Sequence, residues 1–397
     1  MNTEDYDKLL NKNAVDMKPS GIRKFFDIAQ QIDGVISLGV GEPDFKTPWK
    51  VRQAAIETLQ KGRTCYTANA GLIELRREIS KYLLNTVHTQ YDPEKEILVS
   101  VGGSEAIDLA VRAIVSPGDE VLIVEPSFVC YEPIVSMMGG VPIAIETKVE
   151  DEFRLTAAEL EEMITDKTKL LILPYPNNPT GAIMRREDLE QIADVLNGTD
   201  IFVISDEIYS ELTYTGRHCS IVEMEGMRER TVLINGFSKS FAMTGWRLGF
   251  AACPREIMKH ILKLHQYSIM SSPTTSQYAA ITALRECMSD IQKMKSEYNM
   301  RRRLVTDGFN KLGLKCFEPQ GAFYVFPCIR STGLTSDEFC ERLVYSKKVA
   351  VVPGTAFGKC GEGFVRVSYA YSVSHLKEAL KRIGEFLEEL KNENGGN

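Results

Sequence analysis

A lysine, an acid, a glycine-rich turn and an aromatic ring each stand just past a different short apolar run of this chain. Lys239 follows the run Val232-Leu-Ile234 inside Thr231-Val-Leu-Ile-Asn-Gly-Phe-Ser-Lys-Ser-Phe-Ala-Met-Thr-Gly-Trp-Arg-Leu-Gly-Phe250. Burial lowers the pKa of an amine and makes it usable as a nucleophile or Schiff-base partner. A lysine after a strand is more often a solvated surface group, so its neighbours decide its meaning. Gly102-Gly-Ser-Glu105 opens a helical segment, where free backbone N–H groups and the positive dipole end suit a phosphate. The plainer reading of that turn is an ordinary N-cap. Asp206 in Ser205-Asp-Glu-Ile-Tyr209 is equally readable as a helix cap, Asn178 in Pro176-Asn-Asn-Pro-Thr-Gly181 as a turn residue, and Phe128 as core. Arg366, inside Phe364-Val-Arg-Val-Ser368, sits in an apolar strand and must be paired, either in a structural salt bridge or with a ligand carboxylate.

Taken together these groups meet the needs of one cofactor. Pyridoxal phosphate requires a lysine for its Schiff base, an acid paired with its pyridinium nitrogen and a phosphate site, and an aromatic ring on its face is a natural addition. Arg247, in Thr244-Gly-Trp-Arg-Leu-Gly249, falls within reach of the phosphate end.

The elements that must hold these residues follow from the pattern between them. Apolar runs at Ile97–Val101, Glu120–Val124, Val141–Ile145, Lys169–Leu173, Ile201–Ser205 and Thr231–Ile234 alternate with helical-period segments at Ser104–Val115, Ala157–Ile164 and Arg186–Leu196. That alternation is the βαβ signature of a mostly parallel sheet, with Gly249–Cys253 as an antiparallel addition. Ligands of such sheets bind beyond the carboxyl ends of the strands, where the polar motifs lie. Residues 1–48 are assigned to an N-terminal arm and part of a small domain, 49–289 to a large cofactor-binding domain and 290–397 to a smaller α+β domain. Helices over Pro254–Met300 are expected to connect them, and the tail Lys391–Asn397 is expected to be disordered.

Composition narrows the partners. Length suggests about two domains, and 47 Lys+Arg against 54 Asp+Glu leave a net charge of −7. This balance argues against a generic nucleic-acid or anionic-membrane surface and in favour of small-molecule partners. Nine cysteines without a C-x-x-C pair indicate neither a disulfide framework nor a zinc ribbon. The five histidines show no metal-ligand spacing, so no metal is expected. An acidic, polar start and no apolar run of spanning length lead us to expect a cytoplasmic protein without a membrane segment.

The motifs Ser238-Lys-Ser-Phe-Ala-Met-Thr-Gly-Trp-Arg-Leu-Gly249, Asn178-Pro-Thr-Gly181 and Ser205-Asp-Glu-Ile-Tyr209 resemble those of class I aminotransferases of the type I pyridoxal-phosphate fold. Ser20-Gly-Ile-Arg-Lys-Phe25 and Lys259–Tyr267 look most like a bacterial subgroup of aromatic and N-acetyl-diaminopimelate aminotransferases. The resemblance covers nearly the whole chain and implies an α/β fold whose large domain holds a mostly parallel seven-stranded sheet between helices. It also implies roles. Lys239 would hold pyridoxal 5′-phosphate and shuttle the proton between substrate and cofactor, Asp206 would keep the ring nitrogen protonated, and Asn178 and Tyr209 would hydrogen-bond the ring oxygen. Phe128 would stack on the ring, and Gly103, Ser104, Glu105 and Arg247 would hold the phosphate. Tyr66 would reach the phosphate of a neighbouring subunit, implying a homodimer with shared sites. Arg366 would clamp the substrate carboxylate, with the backbone near Gly39 closing over it. One departure stands out: relatives often carry a phosphate-binding serine where this chain has Gly236, so that contact is lost or passes to Ser238.

The leading expectation is therefore a transferase of nitrogenous groups (EC 2.6.1.-), passing the amine of an L-amino acid to a 2-oxo acid. The rival is a lyase that cleaves Cβ–S bonds of cystathionine-like substrates with the same lysine and acid; a ligand-sensing module of a regulator is weaker, because residues 1–48 leave no room for a DNA-binding region. Gly39-Val-Gly-Glu-Pro-Asp44 lacks the third glycine of a dinucleotide fingerprint. Aromatic, aspartate and acyl-diaminopimelate donors all stay open, since a second arginine cannot be placed: Arg23 reads better as an exposed helix-start residue, and Tyr324 either lines the pocket or packs in the core.

Overall fold

The computed structural model describes residues 6–19, 21, 22, 28 and 31–394. Of the motif Ser20–Phe25, only Gly21 and Ile22 fall among them; Arg23 lies outside the described residues. Twelve strands occur among the described residues: β1 (Ile36–Ser37), β2 (Ile97–Ser100), β3 (Glu120–Glu125), β4 (Val141–Glu146), β5 (Thr168–Leu173), β6 (Phe202–Asp206), β7 (Thr231–Gly236), β8 (Gly249–Ala252), β9 (Tyr324–Val325), β10 (Val349–Ala350), β11 (Val352–Pro353) and β12 (Val365–Ser368). Seven of them form one sheet in the order β2-β8-β7-β6-β5-β3-β4. Every pairing in it is parallel except those of β8, which runs antiparallel to both β2 and β7. The expected mostly parallel seven-stranded sheet with an antiparallel Gly249 strand is thus present.

Parallel strands must be covered on both faces, and period-two alternation divides their side chains between two cores. Val99, Leu122, Leu171, Val203 and Leu233 point into a core with helices Trp49–Gln60, Ile73–Val87, Arg186–Leu196 and Thr274–Glu286. Leu98, Val121, Ile123, Ile172, Ile204 and Val232 point into the opposite core with helices Gly103–Ile114, Tyr131–Met137 and Arg255–Ser268. A third core joins helices Met288–Lys311, Ser336–Lys347 and Val373–Asn394 to the three-stranded sheet β11-β12-β9. Leu38, at the end of β1, belongs to this third core, because β1 pairs in parallel with β10.

Three expectations need correction. The segment Tyr131–Met137 is a helix, unread in the sequence because Pro133 looks like a breaker, although proline is tolerated in a first helical turn. The tail residues Lys391–Asn394 continue the last helix instead of being disordered. The boundary at 289/290 falls just inside the helix Met288–Lys311, which starts one residue after the preceding helix ends at Glu286.

Candidate active site

The carboxyl ends of β2, β7, β6, β5 and β3 open onto one cavity of about 480 Å³. Close backbone approach makes this end possible. Gly249 pairs with Ser100 of β2 on one side and Gly236 of β7 on the other. A Cβ on Gly249 would lie 2.7 Å from both Gly102 C and Gly103 N, and one on Gly236 would lie 2.9 Å from Gly249 Cα. The glycines therefore let the turn before Gly103–Ile114 settle against the mouth of the sheet.

Gly103 and Ser104 line the cavity at the first turn of that helix. Glu105 does not: its carboxylate accepts from Val101 N–H and pairs with the buried His265 through Nδ1 at 2.9 Å. That side chain fastens the turn and leaves its backbone N–H as the group available to an anion. Arg247 lines the phosphate side with a left-handed backbone at φ 50°, and its Nη1 donates to Thr244 O at 3.1 Å. Ser238 is buried and lines the same wall.

Lys239 projects from the segment after β7 and donates from Nζ to Gly41 O at 2.6 Å. The amine lies 5.8 and 5.9 Å from the ring centres of Tyr209 and Phe323. Burial pulls its pKa down to about 8, and the nearby Arg366 and Arg247 act in the same direction, against Glu42 and Asp206. Asp206 closes β6 almost fully buried; desolvation raises its pKa, while the Tyr131 hydroxyl at 2.7 Å from Oδ2 and Ile208 N–H at 3.2 Å from Oδ1 pull it back.

The loop after β5 is built by a residue that sequence reading passed over. Asn177 is buried and accepts through Oδ1 from Thr180 N–H and Oγ1 at 3.0 and 2.8 Å, and donates to Pro126 O at 3.1 Å. Gly181 completes the turn at φ 75°, where a Cβ would meet Pro319 at 2.4 Å. This leaves the Asn178 amide free for the cavity, where its Oδ1 accepts from Arg366 Nη1 at 2.9 Å.

Arg366 is the most constrained cation of the site. It rises from β12, the central strand of its sheet, with its guanidinium 4.6 Å from the Tyr324 ring centre and 4.7 Å from that of Phe357. Nη2 donates to Gly39 O. Gly39 is held there because Leu38 bridges Ala350 and Ser368 through backbone hydrogen bonds of 2.8 Å, and Asp44 is tied to Arg301 at 2.8 Å. The buried Nε has no hydrogen-bond partner, and among the described residues no carboxylate pairs with this cation. A buried guanidinium without an anion is costly, so the site is built for an anionic ligand.

The remaining expected residues divide. Phe128, Tyr209 and Tyr324 line the cavity, with Tyr209 and Tyr324 joined by a hydroxyl–hydroxyl contact of 2.8 Å. Tyr66 does not line it and is 81 % exposed. Tyr131 was not singled out in the sequence, although it lines the cavity and bonds Asp206; only its place three residues after Phe128 could have suggested it. Among the described residues no group of three or more His, Cys, Asp or Glu could hold a metal ion, and all nine cysteines are free, with Cys65 exposed. No described helix is long and apolar enough to cross a membrane.

These residues fit pyridoxal phosphate. A depressed lysine amine, a buried acid, free N–H groups at a helix start beside an arginine, and an unpaired buried guanidinium answer its aldehyde, ring nitrogen and phosphate, and a substrate carboxylate.

Comparison with known proteins agrees with this geometry. The family model for aminotransferase class I and II matches residues 33–383. An aspartate aminotransferase of Pyrococcus abyssi is 48% identical over 378 residues, covering 94% of this chain and 97% of the relative. An aromatic-amino-acid aminotransferase of Thermococcus litoralis is 45% identical over 378 residues, covering 94% and 97%. Among solved structures, the aromatic aminotransferase from Pyrococcus horikoshii superposes with a TM-score of 0.89 at 47% identity, covering 92% of this chain and 99% of that one.

Proposed function

The chain belongs to the class I and II aminotransferases, and from that premise we propose that it carries the amine of an L-amino acid to 2-oxoglutarate by a ping-pong cycle in which one site serves both half-reactions. The carrying observation is the buried Arg366, without an anionic partner among the described residues, beside the buried amine of Lys239. Both substrates of such a cycle share an α-carboxylate, and one planar guanidinium held between two rings receives each in turn.

When bound, pyridoxal phosphate supplies an aldehyde that takes up the amine and a ring that accepts the electron pair left at Cα. The protein supplies the rest. Arg366 and Asn178 orient the α-carboxylate and so set which Cα bond stands across the ring. Lys239 Nζ takes the Cα proton and returns it on the other side of the transfer, which its lowered pKa allows near neutral pH. Asp206 holds a proton on the ring nitrogen, Tyr209 and Asn178 hold the ring oxygen, and Phe128 packs on the ring face. Gly103, Ser104, Glu105 N–H, Ser238 and Arg247 hold the phosphate.

The partners follow from the same reading. The exposure of Tyr66 suits a tyrosine that serves the phosphate of a second subunit, so the working unit is a homodimer. The division into 1–48, 49–289 and 290–397 stays part of this proposal, as does a cytoplasmic setting where amino and oxo acids are exchanged. The donor is of aromatic, aspartate or acyl-diaminopimelate type; the relatives above are named for aspartate and for aromatic amino acids. No relative named above favours the lyase reading.

The test is a donor scan with 2-oxoglutarate, following glutamate, with Arg366→Met alongside. Parallel double-reciprocal lines and a donor KM raised about 100-fold or more in the variant are expected from the loss of two charge-assisted hydrogen bonds. Pyruvate and ammonia released from a sulfur amino acid without an acceptor, and no glutamate from any donor, would overturn the proposal.

A further inference from the structure

Asp206 poses a problem that its own strand does not solve. The acid that keeps the ring nitrogen protonated has to be an anion, yet it sits 7 % exposed at the end of β6, where burial favours the neutral acid. Only hydrogen bonds donated to the carboxylate can offset this. One comes from Ile208 N–H to Oδ1 at 3.2 Å and is fixed by the backbone. The other is the Tyr131 hydroxyl, 2.7 Å from Oδ2.

Tyr131 is suited to that task. It is buried and begins the helix Tyr131–Met137, so its ring direction is set by the helix. Phe128 meets its ring edge-on, with centroids 6.2 Å apart and planes at 81°. Burial and the adjacent carboxylate hold the phenol proton well above its ordinary pKa, so the hydroxyl stays a donor throughout the working range and never competes as a base. One side chain thereby joins the expected ring-stacking residue to the expected ring-nitrogen acid.

We propose that Tyr131 is a positioning residue for the reaction, whose hydroxyl keeps Asp206 ionised and aimed so that the shared proton stays on the cofactor's ring nitrogen. Without that hydroxyl the same proton moves to Asp206, leaving a neutral carboxylic acid and a neutral ring nitrogen; no proton is gained or lost. The inference rests on the pyridoxal-phosphate reading of the site, but its test does not depend on any donor being found.

The experiment uses Tyr131→Phe and Tyr131→His, loaded with pyridoxal phosphate carrying nitrogen-15 in its ring. The nitrogen chemical shift reports protonation directly, and equilibrium dialysis gives the dissociation constant. In Tyr131→Phe the shift moves toward that of the unprotonated ring and the dissociation constant rises about tenfold. Tyr131→His, which can still donate, restores part of the protonated shift, which repair of packing alone would not do. A wild-type nitrogen shift in a folded Tyr131→Phe overturns the proposal. If the phenylalanine variant fails to fold, an unprotonated shift in Tyr131→His together with wild-type stability does so as well. Failure to bind the cofactor in the wild-type protein would instead overturn the site reading beneath it.

Discussion

At the scale of single residues, the site is a set of buried charges whose costs are offset by one another or reserved for ligands. Lys239 lies among Arg366, Arg247, Glu42 and Asp206, and burial is the largest influence on it. Its amine should therefore be neutral at a pH where a free lysine is still charged. The rate at which cofactor-free protein captures pyridoxal phosphate is expected to rise with pH and level off with an apparent pKa of about 8. Stopped-flow absorbance across the pH range checks this, and a rise still continuing toward 10.5, the ordinary lysine value, would contradict it. Lys239, Asp206 and Asn178 were readable in the sequence because each stands beside a strand end or a proline turn. Tyr131 and Asn177 were not, because a buried tyrosine in a short helix and an asparagine in a turn carry no pattern that separates them from packing residues. The pairing of Arg366 with Gly39 joins opposite ends of the chain and has no local signal either.

At the scale of elements, the mouth of the sheet depends on three strand ends meeting with no side chain between them. The absence of serine at Gly236 reads in the sequence as a lost phosphate contact, but its cause is steric: a Cβ there lies 2.9 Å from Gly249 Cα and 3.1 Å from Leu248 O. Backbone atoms cannot move aside as a flexible side chain can. Gly236→Ser is therefore expected to destabilise the protein by about 1–3 kcal/mol, a melting-temperature drop of a few degrees, without tightening cofactor binding. Scanning calorimetry with a cofactor titration tests it; an unchanged melting temperature and a lower dissociation constant would show that the strand ends have room. The strands were legible almost to the residue because two-sided burial leaves a continuous apolar run. The short strands β9 to β11 and the helix Tyr131–Met137 were harder to read, since two or seven residues hold too little periodicity.

At the scale of the whole molecule, the proposed dimer has a distinctive consequence, because Tyr66 would serve one site and Lys239 of the same chain the other. Lys239→Ala and Tyr66→Ala, each impaired alone, are expected to recover activity when unfolded together and refolded as a mixture. Random pairing places one intact site in about half of the dimers, so roughly a quarter of wild-type activity should return. Recovery no greater than the sum of the separate variants would mean that each chain builds its site alone.

The central claim is that one site accepts an amine and gives it up again through Lys239. Its most direct measurement is the absorbance of the cofactor-loaded protein during separate half-reactions, first with an amino acid and then, after its removal, with 2-oxoglutarate. The cofactor band is expected to disappear with a preferred donor, return with the oxo acid, and fail to cycle in Lys239→Ala. A band that persists with every donor, or one that recovers without an oxo acid while pyruvate accumulates, would contradict the account.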